Sequence, residues 1–254
     1  MQTNATQELQ QAIERLYEVF ALYPLKPHIY GCDHCVSPQD NARIRSKPLR
    51  GLDWDDLQRF AHKSISTWGD VDDFKHFLPR LLELVPEENR WPISVDRLCL
   101  KIYEADFQEW LEIERAVVNA YFLALWRAII STDDVTIEPY EFLDALVDVQ
   151  LPVQPLLDVW EHTIAHDGAM LHKLTYFVDR VAWEYAPRPT DSSSFIAEEA
   201  TAVSEQDAWA GILRWLTSPQ LREHLEQQNS DFAGELSQTM LQLSTLQTAE
   251  PLHM

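Results

Sequence analysis

Two cysteines, Cys32 and Cys35, stand two residues apart in the run Tyr30-Gly31-Cys32-Asp33-His34-Cys35. A turn with that spacing can present two thiolates to one metal ion, and zinc takes four such ligands, mostly Cys and His, in a tetrahedron. The same thiols can instead form a redox dithiol, or stay reduced without a ligand. Completing a zinc site needs two more groups. The candidates are His28 and His34 in the same loop, His62 and His76 on the following helices, and Cys99. His34, between the cysteines, is read as pointing away. The preferred set is Cys32, Cys35, His76 and His28, a structural zinc that would tie loop 28–35 to the helix carrying His76. A catalytic zinc would require one position left to water. The redox alternative is weaker here, because such pairs usually open a helix within a βαβ unit.

Directly after this loop come Arg43, Arg45, Lys47 and Arg50, four cations in eight residues with no acid among them. They could bind an anion or an acidic partner, or be neutralised by Asp53, Asp55 and Asp56 just downstream. Asp70, Asp72 and Asp73 crowd a helix start, where carboxylates usually cap and complement the helix dipole. Glu161, His162 and His166 sit on one helical stretch with His172 close by; the spacing is not His-Glu-x-x-His and assures no third ligand. There is no Gly-rich phosphate loop, no Gly-x-Ser-x-Gly elbow and no dinucleotide fingerprint.

The elements that must position these residues read as helices. Leu9, Ile13, Leu16, Tyr17 and Phe20 mark one apolar face over about 4–23, ended by Pro24 and Pro27. Asp53 and Asp70 open two further helices, the second carrying Phe74, Phe77, Leu78, Leu81 and Leu82 and interrupted by Pro79. Ser94 opens another. A long helix is expected from about 106 to 131, then helices near 136–149, 155–166 and 169–185, and three more starting near Ser204, Ser218 and Ser230. Residues 186–203 read as a loop. No alternating strand pattern competes and no strict repeat emerges. The expected fold is all-α: a multi-helix bundle or irregular α-solenoid of about ten helices, in one domain over 1–254 with a subdivision at 1–185 and 204–246.

The segment Thr67-Trp68-Gly69-Asp70-Val71-Asp72-Asp73-Phe74-Lys75-His76-Phe77-Leu78-Pro79-Arg80-Leu81-Leu82-Glu83-Leu84, downstream of the Cys-x-x-Cys pair, resembles a bacterial protein family with no assigned activity. Leu125-Trp126 and Trp215-Leu216 are also similar, though more loosely. The resemblance implies an all-helical fold and a bacterial cytosolic origin, and it implies no reaction.

Charge narrows the partner. The chain of 254 residues has a net charge of −21, with 15 Lys/Arg and 20 Asp/Glu in residues 1–130 but 5 and 21 in residues 131–254. Such a field repels nucleic acid and anionic membranes and attracts cations. Three cysteines, an odd number, argue against a disulfide framework, and the polar N-terminus carries no apolar targeting stretch, so a cytoplasmic protein is expected. The expectation for function is a non-enzymatic acidic interaction module binding a basic protein, in its most specific form an immunity protein or inhibitor that masks a basic toxin such as a nuclease. The alternative is a metal-dependent enzyme with a Cys/His-bound zinc beside the basic loop.

Overall fold

A computed structural model describes residues 4–87, 94–166, 171–185 and 203–227. Among these residues there are eleven α-helices and no strand. They are α1 (Asn4–Phe20), α2 (Pro38–Arg43), α3 (Trp54–Lys63), α4 (Val71–Leu84), α5 (Val95–Glu104), α6 (Glu112–Ser131), α7 (Pro139–Asp148), α8 (Gln154–His166), α9 (Leu171–Tyr185), α10 (Val203–Leu216) and α11 (Pro219–Gln227). The multi-helix, all-α expectation is met. The chain divides into two compact units, Met1–Ile137 and Glu138–Met254. Residues 186–202 and the helix expected from Ser230 lie outside the described residues.

In the first unit, α1 packs on both α4 and α6. The stripe of Leu9, Ile13, Leu16 and Phe20 is buried, as are Phe74, Phe77, Leu78, Leu81 and Leu82 of α4 and Val118, Tyr121, Leu125 and Ile129 of α6. These positions recur every three or four residues, so each helix buries one face. Pro79 lies inside α4 and is itself buried. The helix starts are local in origin. Asp53 accepts the Asp56 N–H at 3.1 Å, Asp70 accepts the Asp73 N–H at 3.0 Å, and each partner carboxylate returns a bond to the cap backbone. These reciprocal bonds satisfy donors that the helix leaves without partners.

The long helix is shorter than its periodicity suggests. Asp106 adopts a left-handed φ of 54°, residues Phe107–Glu109 form a 3-10 turn, and Trp110 is extended. Trp110 still points inward, and its indole N–H donates to the Ala105 carbonyl at 2.7 Å. The helix begins only where Glu114 can accept the Leu111 N–H, at 3.0 Å. That same carboxylate is fully buried and pairs with Lys75 at 2.7 Å. It also accepts the Tyr23 hydroxyl, and the Lys75 ammonium lies 4.4 Å from the centre of a Trp110 ring.

In the second unit α7 packs on α9 and α10, and α8 packs on α10 and α11. Aromatic rings fill the centre. Trp160 meets Phe177 at 5.1 Å and Trp215 at 5.4 Å between ring centres, within the range of favourable ring pairs.

Candidate functional site

The cysteine loop is a tight turn fastened to the segment between α3 and α4. The N–H groups of Cys35 and Val36 both donate to the Cys32 carbonyl, at 2.8 and 2.9 Å. The Cys32 N–H donates to the Thr67 carbonyl at 2.9 Å, and the Gly69 N–H to the Tyr30 carbonyl at 2.7 Å, so the loop is held on both sides of Gly31. Gly31 itself pairs with Trp68 in an isolated antiparallel bridge. Trp68 is buried, stands edge-on to Phe60 at 5.3 Å and donates its indole N–H to Asn41 at 3.0 Å.

Hydrogen bonding from the His34 backbone, and then from Cys35, favours the Cys32 thiolate and holds its pKa below the ordinary thiol value. Both cysteines are reduced and partly exposed, whereas Cys99 is buried in α5. From α3, Lys63 donates to the Cys35 carbonyl, and Arg59 donates to the same oxygen at 3.3 Å while pairing with Asp40 at 2.9 Å. Ser37 then caps α2 in a box with Asp40, so the turn runs directly into a helix.

Two backbone features fit this fastening. A Cβ on Gly31 would stand 2.9 Å from the Val36 Cβ, so only glycine lets the turn close this tightly. Ile65, in the segment beneath, has a φ of 70°, unusual for a β-branched residue.

The residues proposed to complete a zinc site do not gather there. Among the described residues no three of His, Cys, Asp and Glu form a group that could hold a metal ion. Cys32 and Cys35 are together, but His28 and His76 do not join them as one ligand set. His76 turns its Nδ1 to the Tyr23 carbonyl at 2.7 Å, and burial lowers its pKa. His28 and His34 are exposed.

The basic run is occupied within the fold. Arg50 grips Glu14 through two bonds of 2.8 and 2.5 Å and lies 3.8 Å over the Tyr17 ring. Lys47 bridges Asp53 and Asp56 at 2.9 and 2.6 Å. Arg45 donates to the Lys26 carbonyl at 2.6 Å and Arg43 to the Asp55 carbonyl at 3.2 Å. Asp70 and Asp73 act as the cap of α4, with Lys26 at 2.6 Å from Asp70 and 3.5 Å from Asp73. On α8 the His162 and His166 rings stack at 4.1 Å, and Glu161 accepts the Trp215 indole N–H at 3.1 Å.

Sequence reasoning missed Lys63 and Arg59 on the cysteine turn, and the buried Lys75–Glu114 pair. The signal for Lys75 was present: a lysine between Phe74 and Phe77, one turn before Leu78 and Pro79, falls among buried positions of its helix and needs a buried acid. Its partner lies 39 residues away and carries no local mark.

Comparison with protein-family models, curated proteins and solved structures gives no match. Among the described residues no helix is long and apolar enough to cross a membrane.

Proposed function

We propose that this chain is an acidic helical interaction module whose second unit engages a basic protein. The observation that carries this reading is the unequal use of cations. In residues 1–137, the four cations of the basic run are all engaged inside the fold. Residues 138–254 hold 19 Asp and Glu against five Lys and Arg. Of those five, Lys173 is buried and Arg180 lies 5.2 Å from the Tyr140 ring and 4.9 Å from the Trp183 ring. Glu141, Asp179, Glu223 and Glu226 are exposed. A surface so rich in one sign speeds encounter with the opposite sign and selects against acidic competitors. In the most specific form of the proposal the partner is a cationic toxin, held inactive by an immunity protein.

The test is affinity capture on the full chain from an extract of the native host, eluted in salt steps. Retention of a basic protein whose affinity falls as salt rises is the expected result, since screening shortens to roughly 3 Å at 1 M salt. Recovery of no basic protein, or binding indifferent to salt, rejects the proposal.

A further inference from the structure

The acid excess sets the sign of partner that the second unit favours, and α9 offers a place for that partner to anchor. The inward row of α9 is Leu171, Leu174, Phe177, Val178 and Val181, all buried. Its outward row is Tyr176, Asp179, Arg180 and Trp183, spaced by three and four residues and all exposed. Tyr176 is 52% exposed and Trp183 59%. Among the described residues of the second unit, these two are the large hydrophobic side chains left exposed, and both belong to this row. Tryptophan, tyrosine and arginine are also the residues that concentrate binding energy at protein interfaces. The Arg180 guanidinium lies 4.9 Å from the centre of the Trp183 ring and 5.2 Å from that of Tyr140 on α7, so rings here already take a planar cation. Asp179 precedes Arg180 in the row, and exposed Glu141 follows Tyr140 on α7, which packs on α9.

We infer that the outward row of α9 is the docking surface for an arginine-bearing segment of the basic partner, with Tyr176 and Trp183 as the rings on which its guanidinium groups stack. The inference rests on the proposed reading of the second unit and adds a place and a chemistry to it. Charge complementarity selects the occupant. With 19 acids against five cations in residues 138–254, the unit repels an acidic segment, and it opposes a second copy of this chain, whose own net charge is −21. Arg180 contributes one positive charge to a unit that holds 19 negative ones, so the field of the unit still favours cations. The rings then choose between the two cationic side chains. A lysine ammonium is compact and strongly hydrated, and carboxylates alone suffice to attract it. A guanidinium is flat and more weakly hydrated, so it gives up less water when it lies on an indole or phenol ring. Exposed rings among carboxylates therefore favour arginine over lysine at equal charge, and Arg180 on Trp183 shows the same stacking within the chain.

The probes are octa-arginine and octa-lysine, peptides of equal charge, titrated into the purified full chain at low salt with calorimetry as the readout. Octa-arginine should bind more tightly than octa-lysine by about fivefold or more. Changing Tyr176→Gln and Trp183→Gln together should bring octa-arginine to within about twofold of octa-lysine and leave the octa-lysine affinity within about twofold of the native chain's, since only the stacked cation loses its ring. Trp183→Phe keeps a ring and should keep most of the preference. Tyr103→Gln removes a side chain of equal exposure, 52%, from α5 in the first unit and should change neither affinity. Equal affinity of the native chain for the two peptides overturns the inference, and so does a preference that survives the double variant. A fall in both affinities alike in that variant also overturns it, because the rings would then act through the fold and not on the guanidinium. Loss of the preference in Tyr103→Gln overturns the placement on α9. The failures separate: if both peptides bind equally, the acidic-module reading stands and the α9 assignment falls, whereas binding of neither peptide rejects the reading itself.

Discussion

In residues 1–137, Arg50 is clamped on Glu14 and Tyr17, Lys47 bridges two helix-capping aspartates, and Lys75 is sealed against Glu114. In residues 138–254, five cations face 19 acids, and one of the five lies against aromatic rings. The first unit uses charge to fasten helices and loops. The second has too few cations to pair its acids one to one. Charge count and charge availability are therefore different quantities: the most basic run in the sequence is engaged in internal contacts.

The comparison breaks first at the buried pair. Lys75→Met leaves the Glu114 carboxylate buried and uncompensated, and should cost the first unit about 3–5 kcal/mol. Hydrogen exchange resolved by segment would show the loss over residues 4–137. A cost below about 1 kcal/mol would mean that water reaches Glu114 and that the pair is not sealed. Next comes Gly69, at φ +74° with a built Cβ only 2.9 Å from the Asp73 Cβ. Gly69→Ala should cost about 1–2 kcal/mol from the left-handed backbone alone, read as a lower denaturant midpoint. Removing one helix cap, Asp53→Ala, should cost about 1 kcal/mol by the same measurement.

The pH dependence sharpens the contrast further. Bonds from Arg50 hold Glu14 below its ordinary 4.5, and bonds from Lys47 hold Asp53 below its ordinary 3.8. Their contributions are complete above those values and are lost as pH falls through the lower folded-state values. Burial depresses His76 below 6.5, so the unfolded chain takes that proton first and stability begins to decline as pH drops under 6.5. Acid titration followed by segment-resolved exchange should show both steps in the first unit. The smallest effect belongs to Arg43→Ala, whose exposed bond to the Asp55 carbonyl should be worth less than about 1 kcal/mol.

Much of the fold was legible because its causes are local. Asp53 and Asp70 cap within three residues, and Ser218 caps α11 by accepting the Leu221 N–H at 3.2 Å. The apolar stripes of α1 and α4 show in their spacing alone. The break at Asp106 was not legible, because Trp110 stays on the inward pattern while the backbone leaves the helix. Nor was the division between Ile137 and Glu138, which no Gly- or Ser-rich linker marks. At the site, the cysteine spacing was plain. Whether histidines join it depends on how separate loops pack, and the fold turns His76 to the Tyr23 carbonyl instead.

The central claim is that the second unit carries the partner-binding charge. Its most direct test compares two full-length variants against the basic protein eluted from the native host. One carries Glu141→Gln, Asp179→Asn, Glu223→Gln and Glu226→Gln; the other carries Asp33→Asn, Asp55→Asn, Glu109→Gln and Glu112→Gln, all exposed positions. The first set should weaken Kd by about tenfold or more, roughly 1.4 kcal/mol, and flatten its salt dependence, while the second changes it less than about twofold. Equal losses from the two sets, or a larger loss from the second, would contradict the account.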